Sequence, residues 1–414
     1  MNQHQNPSSP RRALVIGASM AGLFATALLR KAGWSVDLFE RSDVELFGRG
    51  AGIVTHRELL DALVESGANI DQLGVAINER IAIDKNDQVI EQLHYPQIVT
   101  SWDRLHQLMR ATIPGGHHHL RCNLQSVEQS ASGVTARFSN GRVEKADLLI
   151  AADGYRSVIR DIYMPDVQPI YAGYVIWRGV ADESAMPKSA RDMIFDKFAF
   201  FLPPNNKIIG YPIPGQDHAL ERGRRRYNWV WYRPVDKETL ETMLVDETGA
   251  YHPVSIAPPK VRQDLIDEIR RAAKAQLPPS FSDTLMAIPR PFFTPIYDHF
   301  SPQMVFGRVA LIGDAASVGR PHIGMGVAKA AADAQELANV LRDPSVPVEQ
   351  ALEKFEKHRL DVGLKAVERG RTLGEYLLMP QHADNAPHDP HWEEFHSVHG
   401  ILKNTASSDF LKAH

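Results

Sequence analysis

Four short stretches of this chain carry residue types that could do chemistry. The first is Gly17-Ala18-Ser19-Met20-Ala21-Gly22, placed between the apolar run Ala13-Leu14-Val15-Ile16 and Leu23 to Lys31, which is rich in helix formers. Glycines at this spacing let a tight turn press backbone N–H groups against a pyrophosphate at a helix N-terminus. Ser19 stands where the usual pattern has its second glycine; it is small enough for the approach and brings a hydroxyl. An ordinary strand-to-helix turn would read much the same. The context favours a nucleotide, because Glu40 closes a second apolar run, Trp34 to Glu40, where an acid can accept from ribose hydroxyls. Arg41 could stack near an adenine or pair with Glu40.

The second stretch is Ala151-Ala152-Asp153-Gly154-Tyr155-Arg156-Ser157 and the third is Gly307 to Ala316, in which Val309 to Ile312 leads into Gly313-Asp314. In the third, a strand delivers an acid at its C-terminal end, where doubly wound sheets bind ligands. The fourth, Arg320-Pro321-His322-Ile323-Gly324-Met325-Gly326, runs straight into a helix. Its glycines let backbone approach a planar group, and the helix start supplies N–H donors and positive potential.

The elements around these stretches are those of a strand-turn-helix-strand unit, the core of a doubly wound α/β fold. Ala146 to Ala151 and Val309 to Ile312 are expected as further strands of the same sheet. Between them the texture changes. Val175-Ile176-Trp177, Phe198 to Leu202, Ile208 to Tyr211 and Trp229 to Tyr232 alternate and are split by Pro, Gly and Asn, which predicts an antiparallel sheet. Ile81 to Ile90 is expected as an added hairpin strand. Helices are expected over Val261 to Gln276, Gly326 to Leu341 and Val348 to Leu378. The predicted organisation is a disordered tail (1–12), a discontinuous Rossmann-type nucleotide domain (13–76, 98–170 and 285–345), a β-rich domain inserted in it (77–97 and 171–284), and a C-terminal helix with an irregular, His-rich tail bearing one helix (346–414).

With 414 residues, 43% of them hydrophobic, the chain can bury a large core. A net charge of −4, from 46 basic and 50 acidic residues, argues against a nucleic-acid partner. The basic run Arg222 to Arg226 is expected as a solvated loop. The lone cysteine, Cys122, excludes an intrachain disulfide and reads as a buried strand thiol. Met1 to Pro10 lacks the apolar core of a secretory signal, and no membrane-spanning stretch is evident, so a cytoplasmic protein is expected.

Taken in order and at these distances, the motifs resemble those of the single-component FAD-dependent aromatic hydroxylases, the para-hydroxybenzoate hydroxylase fold. The resemblance runs from Arg12 to Leu378. Within that group the chain is similar to the 2,6-dihydroxypyridine 3-hydroxylase type, through the serine-bearing first motif, Gly50-Ala51-Gly52-Ile53-Val54, Tyr171 to Val180, Tyr211-Pro212-Ile213-Pro214-Gly215, and Pro321-His322 followed by Ala328-Lys329-Ala330. The resemblance implies non-covalent FAD, NAD(P)H as co-substrate, and dioxygen added at flavin C4a to give a hydroperoxide that hydroxylates an electron-rich aromatic or N-heteroaromatic ring. It places Gly17, Ser19, Met20, Ala21 and Gly22 at the pyrophosphate, Glu40 and Arg41 at the adenosine, and Leu124 beside the adenine. Arg104 would reach the phosphate and ribityl region. Asp153 would brace flavin and nicotinamide binding, Asp314 would take the ribityl chain, and Gly52, Pro321, Gly324, Met325, Gly326 and Val327 would face the isoalloxazine.

Two departures stand out: Ala328 where many family members carry asparagine, and Gly50, preceded by Arg49, where some carry arginine.

Ring activation calls for a base with a pKa near neutrality, and histidine is the natural type. His322, between Pro321 and the flavin-facing glycines, is the first candidate, against a loop histidine bonded to backbone. His56 follows the Gly52-Ile53-Val54 segment. Tyr211, on the inserted sheet, could bond a ring hydroxyl or serve only as core. Arg178 and Arg233 keep a carboxylate-bearing substrate open. A homodimer is the oligomer in view.

Three other readings compete. Trp229 to Pro234 superficially resembles a flavin-dependent halogenase motif, with Arg233 in place of the expected aliphatic residue. A non-catalytic flavin sensor would lack substrate-stimulated NAD(P)H oxidation. His117-His118-His119 and the group His388, His391, His396 and His399 suggest a metal, but sit in a loop and a polar tail with little to fix geometry; no metal is expected.

Overall fold

The computed structural model describes residues 10–46, 52–378 and 390–411. Residues 1–9 of the tail expected over 1–12, the Arg49-Gly50-Ala51 positions and His388 therefore lie outside the described residues, and Arg12, counted in that tail, already opens the first strand.

The first sheet has six strands in the order Val305–Phe306, Val309–Leu311, Leu148–Ala151, Arg12–Ile16, Ser35–Phe39 and His118–His119. All its neighbours run parallel except the Val305–Phe306 edge. Both faces of its central strands are covered, which is why they read as unbroken apolar runs. The register explains the spacing of the motifs. Ile16 pairs with Ala151 and with Phe39, and Ala151 pairs with Leu311. The Gly17 turn, Asp153-Gly154 and Gly313-Asp314 therefore leave the sheet at one edge, side by side.

The second sheet has nine strands in the order Ser317–Val318, Phe292–Phe300, Ile170–Asp182, Arg226–Pro234, Lys207–Ile213, Phe198–Phe201, Val75–Ile83, Val89–Ser101 and Gly52–Val54. Its two outermost strands come from segments adjoining the nucleotide motifs, so the sheet is tied at both ends over the same edge of the first. The hairpin expected at Ile81 to Ile90 is a pair of longer strands turning at 84–88.

Every residue of Lys207–Ile213 is buried, because this sheet is covered twice. One face carries Trp177, Trp229, Trp231 and Ile208 against helices Gln263–Gln276 and Pro279–Met286. The other carries Ile176, Ile209, Tyr211, Val230 and Tyr232 toward the nucleotide domain. The strict alternation in Trp229-Val230-Trp231-Tyr232 is the sequence image of those two coverings.

The C-terminal segment, expected as an irregular tail with one helix, carries Pro390–His396 as one helix and a second beyond it. Val398–Asn404 is helical and lies over the second sheet, with Ile401, Leu402 and Ala406 buried in its core. Arg80, itself buried, anchors the segment through bonds to the carbonyls of Thr405 (2.6 Å) and Ala406 (3.3 Å).

Two local readings are corrected. Cys122 is buried but precedes the strand Leu124–Ser130. Arg225, expected in a solvated loop, is buried in an ion pair with Glu183 at 2.9 Å. No helix among the described residues is long and apolar enough to cross a membrane.

Candidate active site

Two cavities open where the strand ends converge, one of about 400 Å³ and one of about 330 Å³. Ser19, Trp102, Ala152 and Gly154 line both, so together they form an elongated trough.

The smaller cavity is lined by Gly17, Glu40, Arg41, Leu124 and Asp153, all singled out in the sequence. Glu40 accepts the N–H groups of Ala18 and Ser42, each at 2.9 Å. Each carboxylate oxygen keeps a second lone pair for a ribose hydroxyl. Cys122 and Arg156 also line this end.

At the junction the backbone leaves no room for side chains. Gly17 has φ +103° and a Cβ there would lie 2.4 Å from the Ala152 carbonyl oxygen; one on Gly22 would lie 1.8 Å from that of Gly17. Gly22 lines neither cavity; its part is to let the turn close. Helix Met20–Lys31 starts there, with no side-chain cap from Ser19. Its first N–H groups are thus left for an anion.

The larger cavity takes Ser19, Met20, Ala21, Gly52 and Asp314 from the motifs, and Pro321, Gly324, Met325, Gly326 and Val327 from the loop before helix Gly326–Val340. Asp314 is accessible within the cavity, while the protein around it pushes its carboxyl above the ordinary range. A buried network holds the neighbouring Gly313; Lys329 belongs to the Ala328-Lys329-Ala330 stretch of the sequence, whereas Asp333 and Arg359 lie in none of the motifs. Asp333 accepts the Gly313 N–H at 2.9 Å, Lys329 donates to the Gly313 carbonyl at 3.0 Å and to Asp333 at 2.9 Å, and Arg359 donates to Asp333 at 2.8 Å. Lys329 and Asp333 sit four apart on one helix, a signal the sequence does carry.

Register generates the cavity's roof. Ile176, Tyr232 and Lys207 form one row across three strands; Arg178, Val230 and Ile209 form the next; Val180, Asn228 and Tyr211 the third. Arg178, Asn228, Tyr211 and Tyr232 line the cavity. Asn228 Oδ1 accepts the Gly52 N–H at 3.2 Å, joining roof to floor. Arg178 makes no ion pair among the described residues, and its Nε is buried without a partner.

The candidate bases are placed differently from one another. Tyr211 lines the cavity, and burial raises its phenol. His322 is fully buried and lines neither cavity: Nε2 meets the Tyr174 hydroxyl at 2.8 Å, the ring stacks on Tyr232 at 4.5 Å, and burial with nearby Lys207 and Arg320 holds it well below 6.5. His56 also stands behind the wall, its Nε2 on the Gly324 carbonyl at 3.2 Å. Arg104 lines neither cavity; it donates to Gln107 at 3.1 Å and to the Asp71 carbonyl at 3.4 Å, and Trp102 takes the place at the trough. His117 and His119 face Asp37, whereas His118 faces Glu45, as alternation along a strand requires.

The residues present fit FAD. The trough has an acid for a ribose at one end, a Cβ-free turn and bare helix start at its middle, and a small-residue floor under an aromatic roof at the other. Such a fold and site are those of a flavin-binding protein with a cavity walled by the second sheet at one end of the flavin trough.

Comparison with known proteins specifies the class. The NAD(P)-binding Rossmann-like domain family matches residues 15–71, and a family described as FAD binding domain-like matches 171–298. The chain is 33% identical to 2,6-dihydroxypyridine 3-monooxygenase of Paenarthrobacter nicotinovorans over 90% of its own length and 92% of the relative's. It is 25% identical to 6-hydroxynicotinate 3-monooxygenase of Bordetella bronchiseptica, over 80% and 82%. The solved structure of 2,6-dihydroxypyridine-3-hydroxylase from Arthrobacter nicotinovorans superposes with a TM-score of 0.85 at 31% identity, covering 93% of this chain and 96% of that one. The chain belongs to the FAD-dependent aromatic-ring monooxygenases, enzymes that use NAD(P)H and dioxygen, and the halogenase and sensor readings find no support.

Proposed function

We propose that this enzyme hydroxylates a small hydroxylated N-heteroaromatic ring of the pyridine type, bound as its oxyanion between the glycine floor and the sheet roof. One observation carries the reading: Arg178, which makes no ion pair among the described residues, lines the cavity on its roof side with Tyr211, Asn228 and Tyr232, and Asp314 is the only other acidic or basic side chain among the described residues of that lining. A single guanidinium there suits one anionic ring oxygen, while Asn228 and Tyr211, one row further, suit a second ring hydroxyl or nitrogen.

FAD, held non-covalently, supplies hydride acceptance from NAD(P)H and delivery of one oxygen atom from dioxygen. The chain's own groups would hold and orient it. Glu40 takes the adenosine ribose, the Gly17–Gly22 turn the pyrophosphate, and Asp314, fixed through Gly313 by Asp333 and Lys329, the ribityl hydroxyls. The start of helix Gly326–Val340 places N–H donors where negative charge develops on the ring system. His56 supports that loop through the Gly324 carbonyl, and His322 keeps Tyr232 in place through their stacking. The roof excludes water from the oxygen-transfer site, as productive coupling requires. NAD(P)H use points to the cytoplasm as the compartment, and a homodimer is the proposed oligomer, checked by light scattering.

The experiment is a panel of 2,6-dihydroxypyridine, 6-hydroxynicotinate and 3-hydroxybenzoate, scored as hydroxylated product against hydrogen peroxide per NAD(P)H consumed. Tight coupling with a hydroxypyridine and peroxide release with the benzoate are expected; the reverse order would overturn the substrate class.

A further inference from the structure

Beside the cavity lies a lysine that the cofactor does not use. Lys207 sits on the roof face of its strand, two residues before Ile209 and 1% exposed. A buried ammonium usually needs a carboxylate, yet Lys207 makes no ion pair among the described residues. Its Nζ donates instead to Thr405 Oγ1 at 2.7 Å, with the Tyr232 and Phe200 rings 5.6 and 5.9 Å away. Thr405 lines the cavity. The C-terminal segment is pinned there by Arg80 and by the Ala406 N–H, which donates to the His322 carbonyl at 2.9 Å.

We propose that Lys207, acting through the Thr405 hydroxyl, accepts the proton of the substrate's ring hydroxyl. The proposal rests on the substrate class above. The O–H bond of the ring hydroxyl breaks, its proton passes to Thr405 Oγ1, and Thr405 releases its own proton to the lone pair of Lys207 Nζ. The products are a ring oxyanion and an ammonium; no oxidant or reductant enters. The Lys207–Thr405 bond exists in both states, since a neutral amine can accept from the hydroxyl to which an ammonium donates.

The groups facing Lys207 are suited to this. Arg80, on Val75–Ile83, is a cation, and Tyr232 and His322 are neutral. Burial, with Arg80, brings the lysine down to about 7, where it can both take and return a proton. His322 lines neither cavity and its Nε2 is taken by the Tyr174 hydroxyl at 2.8 Å, which leaves Thr405 and Lys207 as the route from the cavity.

Because removing a buried amine can unfold a protein, the deciding pair of variants is at Thr405. Holoenzyme of the wild type, Thr405→Val, Thr405→Ser and Lys207→Met is titrated with 2,6-dihydroxypyridine across pH, following the spectrum of the bound ring and product per NAD(P)H. The expected result is ring ionisation near pH 7 in wild type and Thr405→Ser. In Thr405→Val and Lys207→Met the ionisation moves up by a pH unit or more, and hydroxylation at pH 7 falls by roughly 10²-fold and recovers at higher pH. FAD content should not change. A Thr405→Val profile that overlays wild type, or one displaced equally in Thr405→Ser, overturns the relay. If wild type neither binds nor hydroxylates 2,6-dihydroxypyridine, the substrate class falls and the relay with it; wild-type turnover with unaltered variants overturns the relay alone.

Discussion

The floor and the roof of the trough are built by opposite means. The floor is mainly backbone, with Asp314 as its charged side chain. It runs from the turn at the middle of the trough, where a Cβ on Gly22 would lie 1.8 Å from a carbonyl oxygen and the helix start has no side-chain cap, to the loop over 324–326. The roof is side chains, spaced two apart on three strands and brought into rows by register. On the proposed function, the backbone site would recognise what every FAD shares and tolerate no added atoms, and the side-chain site, which can change one position at a time, would be where substrate choice resides.

The contrast is broken most severely at the floor. Gly22→Ala should leave little soluble holoenzyme, because the clash is with backbone; flavin absorbance per protein and the thermal midpoint measure it. Wild-type flavin content would show that the turn yields. Asp333→Ala leaves the Lys329 and Arg359 charges without their shared partner, and stability should fall by about 3–5 kcal/mol in denaturant titration. An Asp333→Ala enzyme as stable as wild type would detach the network from the floor. Asp314→Ala should weaken FAD by about 10–100-fold, the value of a charge-assisted bond to a hydroxyl. Fluorescence titration of the apoprotein decides this, and full affinity removes Asp314 from the site.

A roof change should leave FAD untouched. Arg178→Met is expected to raise KM for an ionised hydroxypyridine by about 30-fold, near 2 kcal/mol for a hydrogen-bonded charge, with flavin content unchanged. Loss of flavin instead would erase the division between the two regions.

The smallest effect concerns His322. Its folded pKa lies below 6.5, so the neutral form is favoured by folding. Its contribution is complete above pH 6.5 and is lost as acid drives the ring toward protonation, at up to about 1.4 kcal/mol per pH unit. Thermal midpoints between pH 8 and 5 should fall on the acid side, less steeply in His322→Gln. His299, lowered to about 4 by burial and Arg160, leaves a residual slope. In folded His322→Gln the product per NAD(P)H should stay close to wild type, since the imidazole lines neither cavity of the trough.

Much of the floor was legible beforehand because its determinants are local. A strand end, a glycine turn and a helix start are contiguous in the chain, so Gly17, Glu40, Asp153, Asp314 and Gly324 could be picked out singly. The strands Arg12–Ile16 and Lys207–Ile213 and the helix Val348–Leu378 were readable for a similar reason, since periodicity records how many faces are covered. Arg104 shows where this stops: a helix-borne arginine in the expected position still turned to Gln107 and Asp71, because a long side chain's direction depends on its neighbours.

By itself the sequence determined the doubly wound core, the order of its nucleotide motifs and the inserted aromatic sheet, because each depends on hydrogen-bonding periodicity and on where a Cβ can fit. Only the tertiary structure decided which side chains meet at and behind the cavity. Arg178, Lys207 and Asn228 lie on separate strands, Thr405 comes from a segment that reads as a polar tail, and His322 is carried behind the wall rather than onto it. The physical reason is that burial and charge, which give an arginine or a lysine its chemistry, are properties of everything packed around it.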